Sequence, residues 1–130
     1  MKITKEMTNG EIYQEADRLL TAFPGDEDKT FPVKSLFLLR KNTKNFIEAA
    51  QDIEKLRMEV IQKYGKVDPE DETKYSFSPD VIEKANSELT DLIDLKQEIT
   101  YYTFPLEALG DIEITGAQMD AIEIFIDYEE

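Results

Sequence analysis

Asp120, Glu123, Asp127 and Glu130 recur at i, i+3, i+7 and i+10 near the end of this 130-residue chain, in a stretch read as helix from Gly116 to about Tyr128. On a helix that spacing stacks side chains along one stripe, with neighbouring Cβ atoms roughly 5–6 Å apart. Four carboxylates so placed form a row of negative charge that could dock the Lys and Arg side chains of a partner, as a row of phosphates does. The same row also reads as a solvated acidic face that meets nothing. Either way it carries a local cost, because like charges at this spacing repel and a helix C-terminus disfavours anions. Ile124 and Tyr128, with Ala117 and Ala121, give this helix a second apolar side, apart from the one made by Met119, Ile122 and Phe125 or Ile126. A helix apolar on two sides is buried between layers or offers a patch to a partner or another copy. The candidate partner-binding residues are therefore Asp120, Glu123, Asp127, Glu130, Ile124 and Tyr128.

Other chemistry is poorly supplied. The chain has neither histidine nor cysteine. The usual base near neutral pH, the commonest zinc ligand and the thiolate nucleophile are all missing, so no Ser-His-Asp or Cys-His unit can be assembled. Carboxylates, lysines, tyrosines and hydroxyls remain without a motif to organise them, and no enzymatic activity or cofactor is expected. The clusters Asp26-Glu27-Asp28 and Asp68, Glu70, Asp71, Glu72 lack the calcium-loop pattern with its central glycine, so no metal is expected either. The five glycines are scattered and form no phosphate-cradling run. Tyr75, Phe77, Tyr101, Tyr102 and Phe104 could stack on bases, but their negative surroundings assign them to core and edge packing.

The formal net charge is −14. It is confined to one half: residues 1–65 hold 11 basic and 11 acidic side chains, whereas residues 66–130 hold 4 and 18. Lys96 is the last basic residue, and nine carboxylate side chains follow it. Such a surface repels nucleic-acid phosphates and anionic membranes and steers a basic protein toward itself. Solubility alone would also account for it. With 41% hydrophobic residues the chain is expected to fold as a single acidic domain, 1–130. Without a signal-like start or an apolar run of membrane length, an intracellular location is expected.

The elements that must hold these residues follow from period and punctuation. Thr8 and Glu11 fit a capping box ahead of a helix carrying Ile12, Ala16, Leu19, Leu20 and Phe23. Pro32 suits the start of a second helix that Gly65 would stop. Unbroken, this helix spans about 33 residues, roughly 50 Å at 1.5 Å per residue. That length implies either a break at Lys41-Asn42-Thr43, where the residues are poor helix formers, or packing on another chain. Residues 66–74 read as a polar loop, and Tyr75–Phe77 as a short strand. Ser78-Pro79 opens a third helix, residues 98–104 favour a strand and Asp111–Ile114 a second one, and Thr115 caps the last helix. The expected class is α+β and predominantly helical: three to four helices, one of them long, with a two- or three-stranded antiparallel sheet.

Several stretches together, Asn9-Gly10-Glu11-Ile12-Tyr13, Phe31-Pro32-Val33-Lys34, Lys63-Tyr64-Gly65, Pro105-Leu106 and Ile112-Glu113-Ile114-Thr115, cover most of the chain in order. In these the sequence resembles a family of small uncharacterised proteins from phages and prophages of Gram-positive bacteria. The resemblance implies a viral or prophage origin and a bacterial host cytoplasm. With the charge, it leads to two expectations. One is an acidic protein-binding module that inhibits a host nucleic-acid-binding or defence protein, such as a CRISPR nuclease, by occupying its basic channel. The other is a self-associating accessory of virion or tail assembly.

Overall fold

Local signals set most helix boundaries in the computed structural model, which describes residues 1–128. Strand β1 (Lys2–Thr8) runs straight into helix α1 (Asn9–Ala22). Thr8 ends the first and caps the second. Its hydroxyl accepts the Glu11 N–H at 3.1 Å, and the Glu11 carboxylate accepts the Thr8 N–H at 3.0 Å. This reciprocal box satisfies donors that a helix start leaves open. The Thr8 backbone and hydroxyl in turn hold the Glu11 carboxyl below its usual range.

Helix α2 (Val33–Tyr64) starts after Pro32 and stops at Gly65. It is a single helix of 32 residues, and the break anticipated at Lys41-Asn42-Thr43 does not occur. Nor does its length call for another chain, because α1 and then helix α3 (Pro79–Asp94) pack along it, with strand β4 (Lys96–Tyr102) crossing it. The poor propensity of Asn42 is overridden by what its side chain bonds. Its Nδ2 donates to the Tyr102 carbonyl at 2.8 Å, and its Oδ1 accepts the Tyr102 N–H at 2.6 Å. Asn45 Nδ2 donates to the Thr100 carbonyl at 3.0 Å. Two helix side chains thus take the place of a third strand along the edge of β4.

Strands β1 and β4 pair antiparallel over their full length, with Ile3 opposite Tyr101 and Lys5 opposite Ile99. Period-2 alternation turns Ile3, Met7, Ile99 and Tyr101 to the core side. Thr4 and Thr100 share a hydroxyl hydrogen bond of 3.1 Å on the other face. Residues 66–74, anticipated as loop, instead form most of an antiparallel hairpin of β2 (Lys66–Asp68) and β3 (Asp71–Ser76). Pro69 and the Asp68 carboxylate, which accepts the Glu70 N–H at 2.9 Å, build its turn. Asp111–Ile114 form no strand. A short parallel pair arises instead between β5 (Phe104–Pro105) and β6 (Ile126–Asp127).

With helix α4 (Gly116–Ile122) the architecture is α+β and predominantly helical, with four α-helices and small two-stranded sheets among the described residues. The core joins Ile12 and Leu19 of α1, Leu39 and Phe46 of α2, and Ile122 and Phe125 from the end of the chain. At its centre the Phe46, Tyr101 and Phe125 rings pack mutually, with centroids 5.7–6.1 Å apart. Among the described residues, no helix is long and apolar enough to cross a membrane.

Candidate functional site

The segment that carries the candidate residues is positioned from both ends. Thr115 opens α4 with a second capping box, accepting the Gln118 N–H at 3.1 Å while Gln118 accepts the Thr115 N–H at 3.0 Å. The Gln118 amide also reaches the Ala22 carbonyl at 3.5 Å, which ties α4 to the end of α1. Helix α4 then lasts only to Ile122. A 3₁₀ turn, Glu123–Phe125, and β6 replace the expected continuation to Tyr128. Packing explains the change. In a 3₁₀ turn, residues three apart eclipse, so Ile122 and Phe125 enter the core together. Ile126 then pairs in register with Phe104. The acidic side chains near the end of a longer helix would also oppose its dipole.

This overturns the single helical stripe. Asp120 lies on α4 beside α1, in a shallow groove shared with Asp17, Arg18, Thr21, Ala22 and Ala117. Glu123 lies on the 3₁₀ turn and Asp127, half-buried, on β6. Glu130 falls outside the described residues. The second apolar side is divided too: Ala121 is buried, whereas Ile124 is 37% and Tyr128 58% exposed. The expectation for the aromatics fares differently by residue, since Tyr101 and Phe104 are core while Tyr75, Phe77 and Tyr102 are only half-buried.

What remains is an acidic segment rather than a stripe. From Leu106 to Tyr128 there are six carboxylates and no Lys or Arg. Glu107, Asp111, Glu113, Asp120 and Glu123 are all exposed and take part in none of the ion pairs among the described residues. Among those residues, no three carboxylates come close enough to share a metal ion. Dispersed charge of one sign, in a segment that also leaves Ile124 and Tyr128 exposed, can attract and contact a basic protein surface.

Two features went unseen in the sequence. Glu15 on α1 is only 1% exposed, and neither carboxylate oxygen has a hydrogen-bond partner among the described residues. Its nearest cation, Arg18, has Nη1 3.7 Å away. Burial pushes the Glu15 carboxyl up to about 8, against the lowering effect of Arg18. The signal was available, since Glu15 lies between Ile12 and Ala22 on the helical wheel and so on the buried side.

The second feature is a groove of about 500 Å³ between α1, α2 and α3, walled by Ile53, Leu89, Leu92 and Ile93. Gly10 forms part of its wall, where an added Cβ would sit 2.9 Å from Ile93 Cγ2. Beside the groove, Arg57 grips Glu54 with bonds of 2.9 and 2.8 Å, and Tyr13 donates to Glu54 at 3.2 Å. The Arg57 hydrogen bonds lower the Glu54 carboxyl, and partial desolvation, then the Glu54 carboxylate, push the Tyr13 hydroxyl up. No known family model matches this sequence, and no curated protein or solved structure is similar to it.

Proposed function

We propose that the chain is a protein-binding module that docks on the basic surface of a partner, and that it acts without catalysis. The observation that carries this reading is the segment 106–128, which holds six carboxylates and no Lys or Arg and leaves Ile124 and Tyr128 exposed. Dispersed carboxylates speed encounter and select against acidic partners, while the exposed aromatic and aliphatic side chains supply contact area. A basic partner surface is above all that of a nucleic-acid-binding protein. Together with the phage-family resemblance, this makes inhibition of a host nucleic-acid-binding or defence protein in the bacterial cytoplasm the leading role. The chain itself, with this charge, does not bind nucleic acid.

The test captures partners from lysate of a Gram-positive host on the immobilised chain and elutes them with a salt gradient. A variant with Glu113→Gln, Asp120→Asn and Glu123→Gln runs alongside. The expected outcome is a basic partner released by moderate salt, bound about tenfold or more weakly by the variant, and losing its own nucleic-acid binding when the chain is added. Equal capture by both proteins at low salt would refute the reading. A second reading, the self-associating virion or tail accessory, is favoured by one observation: among the described residues, no strand lies beside the outer edge of β1.

A further inference from the structure

In an antiparallel pair, residues alternate between those whose N–H and C=O face the partner strand and those whose groups face away. Asn9 N–H bonds to the Leu95 carbonyl and Thr103 N–H to the Met1 carbonyl, each at 2.8 Å. Stepping by two through the β1–β4 register, Ile3, Lys5 and Met7 turn their backbone groups toward β4. Those of Lys2, Thr4, Glu6 and Thr8 face outward. The Thr8 N–H is taken by Glu11. Among the described residues, no hydrogen bond reaches the outward groups of Lys2, Thr4 or Glu6, and all three residues are exposed. The corresponding edge of β4 is occupied by Asn42 and Asn45.

We infer that β1 is the interface for a second copy of this chain, added antiparallel about a two-fold axis through Thr4. This register faces Lys2 with the second copy's Glu6, Thr4 with its Thr4, and Glu6 with its Lys2. All three outward residues then lie in hydrogen-bonded pairs, each exchanging two N–H···O=C bonds. Both charge pairs are of opposite sign, and directly opposed charges of opposite sign are favourable across strands. Other two-fold registers lose this match. Centring on Ile3 sets Lys2 against Thr4 and so loses its counter-charge, and centring on Lys5 sets lysine against lysine. Lysine on an edge normally discourages strand addition, but here the second copy supplies its counter-charge. The product is a four-stranded sheet in the order β4, β1, β1, β4. The inference uses none of the acidic surface of residues 106–128 and stands apart from the docking proposed for it.

Sedimentation equilibrium of the full chain across a concentration series tests the interface. A reversible monomer–dimer equilibrium is expected. Thr4→Pro removes an outward N–H and the hydroxyl bond to Thr100, leaves the β1–β4 backbone bonds in place and should abolish the dimer. Because proline can also unsettle the strand, a second set uses exposed charges. Lys2→Glu alone and Glu6→Lys alone should each weaken self-association about tenfold or more, by turning both pairs repulsive. The two single variants mixed should form a heterodimer with restored affinity, as should the double exchange Lys2→Glu/Glu6→Lys with itself. A strict monomer at millimolar concentration, or a dimer indifferent to the charge exchanges, would overturn the inference.

Discussion

Buried Glu15 ties the stability of the fold to pH. Its carboxyl is protonated up to about pH 8 in the folded chain, whereas unfolded it ionises near the ordinary value of 4.5. Between those two values the folded state binds the extra proton, so this group's contribution to stability falls as pH rises from about 4.5 to about 8 and levels off above. Replacing Glu15 by Gln keeps the shape and removes the ionisation. Glu15→Gln should raise the thermal midpoint at pH 7, by the equivalent of about 3 kcal/mol, with the gain shrinking toward zero near pH 4. Thermal melts of both proteins across that range decide it, and a gain independent of pH would place the cause elsewhere. The helical wheel puts Glu15 on the buried side, yet composition counts it as one more surface acid. Residue type and position point opposite ways here, because an unpaired carboxylate is ordinarily exposed.

At the scale of elements, the Thr8–Glu11 capping box and the Thr115 cap were legible because each is made by residues no more than three apart. The end of α2 was legible for the same reason, in Gly65. Its continuity was not, because Asn42 is held by a strand 60 residues away in sequence. The early end of α4 was hidden likewise, being set by Phe125 entering between Phe46 and Tyr101. Strand β1 escaped notice because Lys5 interrupts its apolar alternation. Asp120, Glu123 and Asp127, anticipated on one helical stripe, are therefore spread over α4, the 3₁₀ turn and β6. Asn42→Ala should show how much the clamp on β4 contributes. It strips both partners from the Tyr102 backbone, and urea unfolding should register a loss of about 2–4 kcal/mol, from the two lost bonds and the unpaired groups they leave. A loss under about 0.5 kcal/mol would mean that water replaces the asparagine without penalty.

For the molecule as a whole, the segregation of charge matters more than its total. One half is balanced and the other carries the entire −14. The ion pairs among the described residues lie mostly on exposed side chains and add little stability, whereas the acidic half repels itself. Raising sodium chloride from about 0.02 M to about 0.5 M screens that repulsion beyond a few ångströms, and the thermal midpoint should rise by several degrees. A falling midpoint would give the surface ion pairs the larger share. The asparagine clamp has one more consequence at this scale. Exposed strand edges commonly let proteins polymerise, since each unit added presents a new edge to the next. Here one end of the sheet is stoppered by side chains of its own helix, so only one end can grow. Once two molecules meet there, both outer ends are stoppered, and extension by this route halts after a single step.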